Sequence, residues 1–274
     1  MTKALDEVIH LLDLEQIDGD IYRGESPPGE RRQRVFGGQV AGQALVAAGR
    51  TVPADRPVHS LHAYFIRPGD PTVPLLYLVE RVRDGRSFTT RRVTTVQHGK
   101  AIFTLSASFH RAEPGFEHAD AMPDVLPPDA AGFAVDEDSP IDLRDVSEPG
   151  PGPSDAVPVP GQRKLVWLRA NGELPDDPLL HVCLMTYASD LSLLDTVLLA
   201  HGVGWDEAIA NGASLDHAMW FHRPFRADRW LLYVQDSPSA GGARGLAHGE
   251  VFTQDGQLVV SVMQEGLVRP HRGR

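Results

Sequence analysis

His59-Ser60-Leu61-His62-Ala63-Tyr64-Phe65-Ile66-Arg67-Pro68 has a degenerate counterpart in Leu215-Asp216-His217-Ala218-Met219-Trp220-Phe221-His222-Arg223-Pro224. Each is an apolar, aromatic stretch closed by Arg-Pro, and the two arginines stand 156 residues apart. A second pair of landmarks agrees. Gln97-His98-Gly99-Lys100 and Gln254-Asp255-Gly256-Gln257 are turn signals between strand-like runs, 157 residues apart. Two anchors at nearly one spacing indicate duplication of a whole folding unit, and a period of that size means two fused domains rather than a solenoid. Chemistry is then to be sought where the two copies differ.

Working outward, residues 4–13 place Leu5, Val8, Ile9, Leu11 and Leu12 near helical spacing, which predicts a short amphipathic helix. Asp18 to Gly24 reads as a first strand, and Pro27-Pro28-Gly29 breaks the chain. Phe36-Gly37-Gly38-Gln39 opens a helical segment through about Arg50. Strand-like runs follow at 58–67, 75–83, 87–97 and 101–110, with Asp84-Gly85 and His98-Gly99 as hairpin signals. The pattern restarts with a strand from Lys164 to Ala170 and a helical stretch from Leu179 to Leu199, broken near Ser189-Asp190. Strands at 214–222, 230–237, 244–253 and 257–268 follow. The expected class is α+β, each half an antiparallel sheet wrapped around a central helix, because a one-sided sheet needs an apolar partner. Between the halves, residues 113–161 are rich in Pro, Asp, Glu and Gly, as in Asp136-Glu137-Asp138 and Glu148-Pro149-Gly150. Such a stretch buries little and reads as a linker, with a short helix or a surface wrap left open. The expected units are 1–112, a linker at 113–161, and 162–274.

A chain of 274 residues can hold two modest domains. The net charge of −11 argues against a broad nucleic-acid surface. It leaves room for an anionic ligand at a local cluster such as Arg31-Arg32-Gln33-Arg34 or Arg91-Arg92, although either could be a solvated face. No apolar run approaches the roughly 20 residues of a membrane span, and the N-terminus lacks a secretory h-region. Stable membrane insertion is not expected. The single cysteine, Cys183, allows no internal disulfide, which fits a cytoplasmic protein; in its apolar surroundings it reads as a buried thiol rather than a nucleophile.

The nucleophile elbow, the phosphate loop and the dinucleotide fingerprint are missing. His59, His62, His217 and His222 do not make a convincing metal set and read as structural or substrate-facing. Three differences between the copies remain. Tyr187-Ala188-Ser189-Asp190-Leu191 stands near the start of the second helical unit, where the first copy has Phe36-Gly37-Gly38-Gln39. Asp190 there is either a helix N-cap or a carboxylate kept ionised by helix N–H groups and able to polarise a water. Ser214 replaces Val58, a hydroxyl for an apolar group. Gln264 replaces Ala107 in an otherwise apolar strand, and a buried amide must find partners. Three new polar groups in one copy point to one shared site.

The chain resembles the type II acyl-CoA thioesterases, the TesB-like group built from two fused hot-dog domains. The resemblance lies in Arg34-Val35-Phe36-Gly37-Gly38-Gln39-Val40, the two quoted strands, Arg83-Asp84-Gly85-Arg86-Ser87-Phe88, Pro114 to His118, Tyr187 to Asp190, and Gln264-Glu265-Gly266. It implies hydrolysis of a fatty acyl-CoA to free acid and CoA, with Asp190, Ser214 and Gln264 as the catalytic trio that orients and activates a water. It also implies homo-oligomers and no cofactor. Ser214 stands where many relatives have Thr, which retains the hydroxyl. On this reading Asp190 is a general base of near-ordinary pKa, Ser214 and Gln264 hold the water, and Gly37 and Gly38 reach across from the first half. Ser214 as a covalent nucleophile is the rival; His217 follows it by three residues, but on a regular strand such positions face opposite ways. A hot-dog hydratase and a non-catalytic acyl-CoA sensor are the other functional classes. Release of free thiol separates the thioesterase from both.

Overall fold

The computed structural model describes residues 2–27, 33–129, 138–147, 163–201 and 212–269. Arg31, Arg32, Pro28-Gly29, Asp136-Glu137, Glu148 to Pro153 and the C-terminal His271 to Arg274 lie outside the described residues. The first half runs α1 (Lys3–Leu12), β1 (Glu15–Asp18), β2 (Ile21–Gly24), α2 (Gly37–Gly49), β3 (Val58–Phe65), β4 (Leu75–Asp84), β5 (Phe88–Gln97) and β6 (Lys100–His110). The second runs β7 (Ile141–Asp145), β8 (Lys164–Ala170), α3 (Pro178–Ser189), α4 (Asp195–Leu199), β9 (Ala213–Ser214), β10 (Asp216–Phe221), β11 (Leu231–Gly241), β12 (Arg244–Thr253) and β13 (Leu258–Leu267).

The α1 helix starts where the Thr2 hydroxyl accepts from the Leu5 N–H, and it buries Leu5, Val8 and Leu12 on one stripe. The single strand expected over Asp18–Gly24 is instead the hairpin β1–β2. Asp18-Gly19 is a turn signal inside that run, and the Asp18 carboxylate accepts from the Gly19 N–H at 2.7 Å. Likewise, residues 141–145 of the expected linker form β7, which pairs with β8 at the sheet edge. The part of that segment before residue 130 wraps the outside of the second sheet half. Met122 and Val125 pack on a small cluster built on Trp167, Trp230 and Phe252, and Trp167 Nε1 donates to the Leu126 carbonyl at 2.8 Å.

Sheet order demonstrates the duplication. The strands run β1-β2-β4-β5-β6-β3-β10-β13-β12-β11-β8-β7, with β9 paired to β13. The order β2-β4-β5-β6-β3 is repeated in mirror sense by β8-β11-β12-β13-β10. The two duplicated aromatic motifs, residues 59–68 and 215–224, form β3 and β10, and they pair antiparallel, Asp216 opposite Tyr64 through Trp220 opposite Ser60. They join the halves into one sheet. On its concave side α2 and α3 lie against each other. Gly38 faces the Tyr187 carbonyl, Gly42 the Cys183 carbonyl and Gly49 the Leu179 side chain, so the helices run antiparallel. The amino end of α2 therefore meets the carboxyl end of α3.

Candidate active site

Asp190 is the C-cap of α3, with φ −88° and ψ −2°. It does not stand near the start of the second helical unit. Its counterpart in the first half is Arg50, the C-cap of α2, and not the Phe36–Gln39 segment. Both helices are apolar along most of their length, so the sequence alone did not fix which end of one matched which end of the other. The helix N–H groups near Asp190 are nevertheless real, because they belong to α2. The Gly38 N–H donates to the Asp190 carboxylate. A Cβ at Gly37 would lie only 2.7 Å from Oδ2.

The three polar differences between the repeats converge. Gln264 Nε2 donates to Asp190 Oδ1 at 2.6 Å. The Ser214 hydroxyl donates to the same oxygen at 3.2 Å. Burial pushes the Asp190 carboxyl up to about 6, against the pull of the Gln264, Ser214 and Gly38 donors. The near-ordinary pKa expected from sequence therefore does not hold, because desolvation of the charged form outweighs the hydrogen bonds. A carboxyl poised there is basic enough to take a proton and still ionised at neutral pH.

Asp190 and Ser214 border a cleft of about 860 Å³. Its walls include Val35, Phe36, Phe65 and Ile102 from the first half and Leu191 and Leu194 from the second. Arg34 and Arg67 lie at its polar margin, and the Arg34 guanidinium bonds the Gly212 carbonyl just before β9. Gln264 is fully buried and is not part of the cleft wall. Its N–H goes to the carboxylate, so it holds Asp190 from behind.

The strand-parity reason for separating Ser214 from His217 also changes. Leu215 interrupts the strand between β9 and β10; its N–H bonds the Glu265 carbonyl and its own carbonyl accepts from Phe65. Ser214 and His217 consequently both face the helices. They engage different partners, for His217 Nε2 lies 2.9 Å from Ser189 Oγ. The sequence offers His217 only as a structural or substrate-facing histidine and as the partner of Ser214 in the rival serine route, and it gives Ser189 no role. The available signal was that His217 stands where the first copy has Leu61.

The remaining candidates lie elsewhere. His59 Nε2 meets Ser108 Oγ at 2.8 Å and the ring packs against Phe88 and His110. His62 packs edge-on against Trp220, and His222 meets Ser261. Among the described residues no group of His, Cys, Asp or Glu is placed to hold a metal. Cys183 is buried and its thiol is pushed well up by desolvation. Arg91 is not on a solvated face. It is buried and bonds the Thr51 hydroxyl and carbonyl and Asp84.

Two family models match: the acyl-CoA thioesterase N-terminal domain over residues 27–110 and the acyl-CoA thioesterase over residues 153–267. The human protein named acyl-coenzyme A thioesterase 8 is 42% identical over 290 residues, spanning 96% of this chain and 88% of the relative. The crystal structure of an acyl-CoA thioesterase II, TesB2, from Mycobacterium marinum superposes with a TM-score of 0.84 at 50% identity, covering 97% of this chain and all of the other. A hot-dog-fold protein from Alicyclobacillus acidocaldarius superposes with a TM-score of 0.78 at 20% identity, covering 99% of this chain and all of the other. At that identity the likeness speaks for the fold alone.

Proposed function

The chain belongs to the acyl-CoA thioesterase family and hydrolyses acyl-CoA to free fatty acid and CoA, and we propose that it does so by direct attack of a water held by Asp190 and Ser214. The observation that carries this reading is the convergence of Gln264, Ser214 and the Gly38 N–H on one carboxylate at the edge of an apolar cleft. Ionised Asp190 takes a proton from the water as its oxygen bonds the thioester carbon. The carbonyl oxygen becomes an oxyanion. Phe36 supplies no capping oxygen to α2 and Gly37 borders the cleft, so the first turn of that helix would supply N–H groups to the oxyanion. Collapse breaks the carbon–sulfur bond, and the proton on Asp190 passes to the departing thiolate. The acyl chain lies between the apolar walls, and the Arg34 and Arg67 margin would face the anionic CoA.

Ser214 as a covalent nucleophile is the competing route. Its hydroxyl already donates to the carboxylate that would have to activate it. Intact-mass measurement of protein quenched during turnover of a saturated acyl-CoA tests the choice. Water attack predicts no acyl adduct, and Ser214→Ala retains more activity than Asp190→Asn. An adduct on Ser214, with both variants equally inactive, would establish the serine route instead.

The same reading treats residues 1–112 and 162–274 as the two hot-dog units, with 113–161 joining them. It keeps the chain in the cytoplasm, supported by a single buried thiol and by the finding that no helix among the described residues is long and apolar enough to cross a membrane. It also makes the protein a homo-oligomer. The outer face of the first sheet half leaves Tyr64 63% exposed and Leu76 and Leu78 each 39% exposed, while the matching face of the second half is covered by its own wrap. Light scattering with and without a Tyr64→Lys change tests this: loss of the oligomer is expected, and a monomeric native protein would refute it.

A further inference from the structure

We propose that His217 is the positioning residue of Gln264, holding its amide through one shared buried water so that the N–H, and not the carbonyl, faces Asp190. The inference rests on the reading of Asp190 as the base. Two buried atoms carry it. His217 Nδ1 and Gln264 Oε1 both lack a hydrogen-bond partner among the described residues. Leaving either unpaired in the interior costs free energy. They are also neighbours. Ala218 pairs with Met263, so one step along the antiparallel ladder sets His217 opposite Gln264. Both side chains are buried on the helix side, where opposed Cβ atoms stand about 5 Å apart.

One water satisfies both unpaired atoms. The Ser189 hydroxyl donates to the Thr186 carbonyl at 2.9 Å and can accept from His217 Nε2–H at 2.9 Å. Nδ1 is then a lone pair. Gln264 spends Nε2 on Asp190, leaving Oε1 as an acceptor. A water between them gives one hydrogen to each. Burial holds the imidazole down to about 4, so it stays neutral and keeps that lone pair across the working pH range. With the amide reversed, a carbonyl oxygen would face the carboxylate.

The repeat supplies an independent argument. The positions equivalent to His217 and Gln264 are Leu61 and Ala107, and these two are a cross-strand pair in the first half. The fold is satisfied there by two apolar residues. Both members are polar together only in the half that carries the carboxylate, as expected if one serves the other.

The test compares pH profiles of thiol release for the native protein, His217→Leu, His217→Asn, Gln264→Ala, the Leu/Ala double variant and Asp190→Asn. The groups facing Asp190 are the Gln264 amide from β13, the Ser214 hydroxyl from β9, the Gly38 N–H from α2 and, farther away, the Tyr233 phenol from β11. Burial keeps that phenol protonated, so the acidic limb reports Asp190. His217→Leu is expected to lower kcat ~10- to 100-fold, leave KM nearly unchanged, and move the acidic limb upward. His217→Asn, which keeps a polar atom near Nδ1, should restore the limb. In the Gln264→Ala background, losing His217 should cost nothing further. A folded His217→Leu with native kcat and limb, or losses that multiply in the double variant, would overturn the proposal. Should His217→Leu not fold, a high-resolution structure of the native protein decides: a water joining Nδ1 and Oε1 supports it, and an amide carbonyl facing Asp190 refutes it. Activity retained by Asp190→Asn would instead strike down the base assignment, so the two failures are distinct.

Discussion

Asp190 carries its charge against a desolvation cost, and that has consequences beyond catalysis. Its folded pKa, about 6, lies above the ordinary 3.8. Such a group contributes most to stability when protonated, below pH 3.8, and that contribution is lost as pH rises through 6. At about 1.4 kcal/mol per pKa unit, the cost at pH 8 is capped at about 3 kcal/mol. Asp190→Asn should therefore be more stable than the native protein at pH 8, with the margin shrinking toward pH 4. Thermal melts at the two pH values check this, and a variant less stable at pH 8 would contradict it. Activity follows the opposite course, since the base works only when ionised: kcat should fall tenfold per pH unit below about 6. Ser214 and Gln264 stood out in the sequence because each replaces an apolar counterpart, Val58 and Ala107, whereas Asp190 stood out only against the Phe36–Gln39 segment, although its structural counterpart is Arg50. The pKa of Asp190 and the role of His217 were not legible, because both depend on what packs around them.

Helix contact brings the two halves of the site together. A Cβ at Gly38 would come within 2.4 Å of the Tyr187 carbonyl, whereas one at Gly42 would stand 3.1 Å from the Cys183 carbonyl. The first demands a backbone shift. The second demands a few tenths of an ångström, offset by the helix propensity of alanine, worth about 1 kcal/mol. Gly38→Ala is thus expected to cost about 2 kcal/mol or more and to lower kcat by moving its N–H off Asp190. Gly42→Ala should remain within about 1 kcal/mol of native and stay active. Denaturant melts with parallel turnover assays check the pair, and equal behaviour would sink the close-approach account. Strand and helix spans followed from periodicity and turn residues, including the break at Ser189-Asp190. The β1–β2 turn, the β7 edge strand and the interruption at Leu215 did not, since a two-residue turn and a one-residue break lie below what a hydrophobic pattern resolves.

The whole molecule is a duplicated unit in which one copy bears the carboxylate site and the other lends it the end of a helix. Topology repeats strand for strand, yet the counterpart of Asp190 is Arg50, so the carboxylate site is not repeated by the internal symmetry. Because β3 and β10 pair directly and α2 packs on α3, the halves should unfold together. All four tryptophans lie in the second half, so their fluorescence reports that half, whereas far-ultraviolet dichroism reports both. Coincident transitions are expected, and a dichroism step without a fluorescence change would mean independent halves. The duplication itself was readable from two anchors at nearly one spacing. How the copies dock was not, because the partners of β3 residues lie 152 to 160 positions along the chain and are chosen by packing. The most direct test of the central claim is the rate of thiol release from saturated acyl-CoA, compared between the native chain and folded Asp190→Asn across pH 5–9. A water-activating Asp190 predicts native turnover with an acidic limb near 6 and a variant that lacks that limb and is slower by ~10²- to 10⁴-fold on the plateau above it. Equal turnover by both proteins would contradict it.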